Sequence, residues 1–158
     1  MDQDVKKKVL RQISYGMYVV SSAADDVLSA GTVNWLSQAS FGPPLVMVGV
    51  KKDSGLHDAV KKSNSFAVNV LSADQKQFAE DFFRPSTVEG NNVNGHPFKP
   101  GVTGAPILDE VYSYFECKVT GSIEQGDHSV FVGEVIEVGA RSDDKPLEMW
   151  DTGWFYGG

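Results

Sequence analysis

The strict alternation of residues 111–123 constrains the fold of this chain more than any other feature. Val111, Phe115, Cys117, Val119 and Ile123 share one parity, while Tyr112, Tyr114, Glu116, Lys118 and Thr120 share the other. Side chains in a strand point alternately to its two faces, so this segment predicts a long, half-buried antiparallel strand. Glu124, Gln125, Gly126 and Asp127 then read as a hairpin turn into the apolar-rich run 128–138. Cys117 falls on the apolar face and is expected to fill core, not to act as a nucleophile.

Shorter β-rich runs occupy residues 15–22, 28–34, 45–51 and 66–71, with turn chemistry between them. The run 45–51 is apolar almost throughout, as a strand buried on both faces would be. Helical spacing is confined to three places. Val5, Val9, Leu10 and Ile13 follow Asp2 and Asp4; Leu56, Ala59 and Val60 follow Ser54; Phe78, Ala79, Phe82 and Phe83 follow a capping box over Ser72, Ala73, Asp74 and Gln75. Residues 84–105, with four glycines and three prolines, predict an ordered loop anchored by Val88, Val93 and Phe98. Many short strands and few helices predict a mainly β protein, a β-barrel with short peripheral helices, as one domain over residues 1–158.

Composition narrows the function. The net charge is −7, without the basic field that nucleic-acid binders carry. Lys6, Lys7 and Lys8 read as the wet face of a helix. A single cysteine allows no internal disulfide, which fits a reducing, cytoplasmic setting. Residues 1–13 lack the apolar core of a secretory leader, and no run approaches a membrane span. Dinucleotide-binding glycine fingerprints, phosphate-binding P-loops, Cys-x-x-Cys pairs, zinc-protease helices and nucleophile elbows are all missing. His57, His96 and His128 are scattered without cysteine partners, so no metal site is expected.

The run from Ala30 to Val50 (AGTVNWLSQASFGPPLVMVGV) resembles the flavin reductase-like family of FMN-binding split barrels. Four further pieces agree in order and spacing: Ile13 to Val20, Phe66 to Leu71, Gly126 to Val135, and the stretch from Lys145 to Gly158. The likeness spans roughly residues 10–158 and is weakest across 84–105. It implies a six-stranded Greek-key split barrel that forms homodimers, with FMN in a groove near the subunit interface and nicotinamide stacking on the flavin.

The resemblance also implies site residues. Thr32, Val33 and Asn34, with Trp35 beside them, match the stretch along the isoalloxazine edge; on the residues alone they are an ordinary edge strand. Ser40, Lys51, Lys52 and Ser54 match the ribityl and phosphate end, where anions favour cations and a helix N-terminus. Leu56 stands where members often carry threonine, a departure that either weakens FMN affinity or leaves His57 as a substitute donor. His128 matches a histidine beside the nicotinamide, a positioning role because hydride transfer chiefly needs orientation. Arg84 either reaches the flavin or ends a helix in solvent. Trp150, Trp154, Phe155 and Tyr156 shield the flavin or fill a dimer interface. The activity implied is that of an NAD(P)H:flavin oxidoreductase passing electrons to an acceptor, a redox protein included. FMN is expected before FAD, since the chain has no adenosine-binding module, and NADH or NADPH is the co-substrate. Two rival readings are a flavoredoxin-like carrier with permanent FMN and a non-redox flavin-binding barrel.

Overall fold

The computed structural model describes residues 1–158. The chain runs α1 (Gln3–Leu10), β1 (Tyr18–Ala24), β2 (Val27–Val33), β3 (Leu36–Ser40), β4 (Leu45–Lys51), α2 (Gly55–Ser63), β5 (Ser65–Val70) and α3 (Lys76–Asp81). Four short strands follow: β6 (Val88–Glu89), β7 (Asn92–Val93), β8 (His96–Pro100) and β9 (Pro106–Leu108). The chain then forms β10 (Ser113–Ile123), β11 (His128–Ala140) and α4 (Met149–Thr152). No helix is long and apolar enough to cross a membrane.

The alternating segment becomes β10, and the turn after it delivers β11 as its antiparallel partner. Seven strands form the main sheet in the order β2-β1-β5-β10-β11-β4-β3, antiparallel throughout. The mainly β class is therefore as expected, with seven strands in place of six. Its two edges, β2 and β3, are consecutive in the chain and do not pair, so the ladder is not closed.

Two apolar clusters cover the sheet. Val20, Val46, Val48, Val50, Phe66, Val68, Cys117 and Phe131 pack beneath Leu56 and Val60 of α2. On the other side Met17, Val19 and Leu71 meet Phe78, Ala79 and Phe82 of the α3 region, with Val93, Leu108, Val111, Leu147 and Met149. Val19 and Val20 are both fully buried, because β1 is covered on both faces. Each fully buried Val, Leu or Phe contributes about 1.5–3 kcal/mol. Ser54 caps α2 by accepting the His57 N–H, and Asn64 ends that helix in the left-handed region.

Several expectations are corrected. Val5, Val9, Leu10 and Ile13 are exposed, and α1 buries nothing, since no element lies beneath its apolar stripe. β4 is half-buried, with Met47 facing out. Phe83 is exposed beyond the end of α3. Only half of the capping box forms: Gln75 accepts the Ser72 N–H at 3.0 Å, but the Ser72 hydroxyl turns to Asp74. The 84–105 loop holds three of the four strands of a second small sheet. Glu116, on the polar parity of β10, is buried, its carboxylate accepting the Val102 and Thr103 N–H groups and the Thr103 hydroxyl.

Candidate functional site

A groove of about 970 Å³ opens along the free edge of β2. Its walls come from β2, the end of β4, the start of α2, the Phe82-to-Ser86 turn after α3, and residues 153–156. The edge strand exposes alternate backbone groups, and the turn after α3 takes most of them. Ser86 Oγ accepts the Ala30 N–H at 2.9 Å and donates to the Ala30 carbonyl. The Thr32 N–H donates to the Phe82 carbonyl at 3.2 Å, and the Thr32 hydroxyl to the Ala79 carbonyl at 2.5 Å. Next in that alternation, the Asn34 N–H has no backbone acceptor. The Asn34 side-chain amide meets only the Met149 sulfur, 3.0 Å away, a weak acceptor that a carbonyl can replace.

One end of the groove suits an anion. Ser29 brings a hydroxyl, Ser54 and Ser86 donate theirs to the Lys51 and Ala30 carbonyls, and α2 opens toward the groove through Gly55 and Leu56, whose N–H groups have no acceptor within a helix. Arg84 is the cation beside Ser86 and donates to the Asn94 carbonyl; Lys51, which also lines the groove, lies opposite His128 across β4 and β11 and pairs with Asp53 at 3.2 Å. These groups fit a phosphate, and the long groove with aromatic walls beyond them fits a planar ring system.

β11 begins with His128, opposite Lys51 of β4. Its Nδ1 lies 2.8 Å from Asp127 Oδ1 and its Nε2 lies 2.9 Å from the Tyr156 hydroxyl. The Trp35 ring packs against the imidazole, centroids 4.5 Å apart, and against Tyr156 at 5.4 Å. The His128 hydrogen bond, then its charge, holds the Asp127 carboxyl below the usual range. Burial pushes the Tyr156 phenol up, against the pull of Lys51.

Thr32, Val33, Asn34, Lys51, Ser54, Arg84 and His128 thus share one groove. Trp35 lies behind His128. Ser40 sits at the far end of β3, opposite Leu45. The Lys52 ammonium turns to the Glu124 carbonyl at 2.6 Å. His57 is buried, with Nε2 2.8 Å from Ser129 Oγ, and is directed into the core. Ser29, Ser86, Arg11 and Asp127 were not expected. Only Asp127 left a signal in the chain, as the turn residue beside His128.

Comparison with known proteins agrees with this geometry. Residues 10–157 match the flavin reductase like domain. The reductase component of a 4-nitrophenol 4-monooxygenase/4-nitrocatechol 2-monooxygenase from Rhodococcus opacus is 30% identical over 150 residues, covering 95% of this chain and 78% of that protein. An FMN reductase (NADH) of Agrobacterium fabrum is 30% identical over 138 residues, covering 87% and 77%. The chain spans about a quarter of the length of the cyanobacterial diflavin flavoproteins that it also matches. Among solved structures, the NADH:FAD oxidoreductase of Streptomyces globisporus C-1027 superimposes with a TM-score of 0.80 at 26% identity, over 98% of this chain and 91% of that one. The fold, the groove and these likenesses agree: the chain belongs to the flavin reductase like domain family.

Proposed function

We propose that this protein is an NAD(P)H-dependent flavin reductase that takes FMN in the β2 groove. The observation that carries this reading is the groove itself, lined by the open start of α2, Arg84 and a positioned histidine. Bound there, a flavin supplies the two-electron acceptor for hydride from a reduced nicotinamide.

The start of α2, Arg84 and the Ser29 hydroxyl hold the phosphate, while the Ser54 and Ser86 protons go to the Lys51 and Ala30 carbonyls and shape the wall. The β2 edge fixes the ring system, with the Asn34 N–H as the free donor toward its pyrimidine carbonyls. Phe82, Phe83, Trp154 and Phe155 exclude water from the ring faces. His128 orients the nicotinamide, held in turn by Asp127. No residue in the groove has to move a proton for hydride transfer; the chain's task is placement.

The working unit in this reading is a homodimer. Met47 and Val132 face each other across β4 and β11, and Val130 pairs with Ile123, giving an outer apolar face that continues to the exposed Ile136. Such a face suits a second copy, with two-fold symmetry the commonest arrangement. Electrons leave to an acceptor outside the chain.

Titration with FMN should quench flavin fluorescence, and NADH or NADPH should then be oxidised at a rate that depends on FMN. A protein that binds no flavin, or binds it without nicotinamide oxidation, would overturn the proposal.

A further inference from the structure

Residues 84–94 leave the end of α3, turn through β6 and β7, and close on themselves at Asn94. The Asn94 N–H donates to the Thr87 carbonyl at 2.9 Å, and its Oδ1 accepts the Thr87 N–H at 2.8 Å. Its Nδ2 donates to the carbonyl of Asp81, the last residue of α3, at 3.1 Å. Its own carbonyl accepts from Arg84 Nη2 at 3.2 Å. The residue is buried and holds φ at 50°, a left-handed conformation that asparagine adopts more readily than most residues with a side chain.

These bonds divide into two kinds. The side-chain amide pins Asn94 to α3 and to Thr87, which fixes where its main-chain carbonyl stands. The carbonyl in turn holds the guanidinium of Arg84, and Arg84 lines the groove whereas Asn94 does not. Arg84 is exposed, and an exposed arginine samples many rotamers that it must give up when it grips an anion. A fixed acceptor beneath the side chain removes part of that cost in advance. It occupies one of the five N–H donors of the guanidinium and leaves the fork able to meet a phosphate.

We infer that Asn94 is the positioning residue for Arg84 and, through it, sets the preference for a phosphorylated flavin over riboflavin. The inference rests on the reading of the groove as an FMN site.

Asn94→Gly keeps the left-handed backbone and deletes both side-chain bonds. Titration by flavin fluorescence quenching should show FMN weakened about three- to tenfold and riboflavin unchanged. Arg84→Ala placed in the same background should add little, because both substitutions remove one interaction. Equal loss for the two flavins, an unchanged affinity for FMN, or additive losses in the double variant would overturn the inference. Amide exchange in the wild-type protein reads the same link without a substitution. FMN should slow exchange of the Thr87 amide about threefold or more, and riboflavin should not. Protection by both flavins equally, or by neither, would overturn the inference even where Asn94→Gly does not fold. A wild-type protein that binds no flavin would overturn the FMN-site reading and the inference together. One that binds FMN while these tests fail keeps that reading and loses the inference alone.

Discussion

The Thr32 hydroxyl donates to the Ala79 carbonyl at 2.5 Å, tying the edge strand of the main sheet to the helix that carries the groove wall. The bond sets where Phe82, Phe83 and Arg84 stand relative to β2. Thr32→Val keeps the shape and deletes the donor, at a cost of about 1 kcal/mol. Thermal unfolding should shift down by about 3 °C. FMN affinity measured by fluorescence quenching should fall about threefold, because the wall loosens along with the strand.

The phosphate end gives a ligand-resolved prediction. Arg84→Ala should weaken FMN about tenfold by loss of a charged hydrogen bond, with much less effect on riboflavin, which lacks the phosphate. Lys52→Ala is the internal control, since that ammonium is engaged with the Glu124 carbonyl. Titration of both flavins against both variants checks the pair; equal loss for FMN and riboflavin in Arg84→Ala would remove the arginine from the phosphate.

Asp81 supplies a pH-dependent element of stability. Its carboxylate lies 2.9 Å from His96 Nε2, while Glu110 lies 2.8 Å from Nδ1, so the imidazole clasps α3 to β8. Burial opposes the charge on Asp81, but hydrogen bonds from His96 and Gln77 outweigh it and hold the group below its ordinary 3.8. A carboxyl lowered in the folded state contributes fully above that ordinary value and loses its contribution as pH falls below it. Asp81→Asn should melt about 2 °C below wild type at about pH 5, and the gap should narrow as pH falls below the ordinary 3.8. Melting curves taken across that range decide it.

Cys117 should be inert while the chain is folded. Burial, and then the charge of Glu116, push its thiol up to about 12, and the side chain is fully enclosed. A thiolate-selective reagent at about pH 8 should label it only as fast as the protein opens, and immediately in denaturant. Rapid labelling of the native protein would contradict its place in the core.

The strand pattern was legible because alternation reports faces directly. Strands formed at residues 113–123, 128–140 and 65–70, with Cys117 buried as its parity required, whereas Ile123, of the same parity, is exposed beyond the register shift between Val119 and Gly121. Burial that depends on distant partners was not legible. Glu116 reads as solvent-facing, yet the turn at residues 101–105 folds over it and supplies three donors. The apolar stripe of α1 reads as a core face, yet nothing in the chain packs under it. The same limit governs the site. Thr32, Val33, Asn34, Ser54 and His128 lie in segments whose order resembles a known family, and they meet in one groove. Ser29 and Ser86 carry no local signal, being ordinary serines until β2 and the α3 turn lie side by side. Lys52 and His57 are adjacent to groove residues in sequence but alternate or rotate away from it.

The open ladder has a consequence for self-association. A barrel that closes has no free strand to offer a neighbour, whereas this sheet ends in two. The β2 edge is blunted by Ser86 and Phe82, which take its outward groups. The β3 edge has no such cover. Instead it carries Ser37 and Gln38, and a register shift between Gln38 and Ser40 breaks the straight run of backbone groups that a second chain would need. Five residues, polar and kinked, make a poor template for cross-β growth. The chain can therefore leave its sheet open beside a ligand groove without inviting aggregation along that edge.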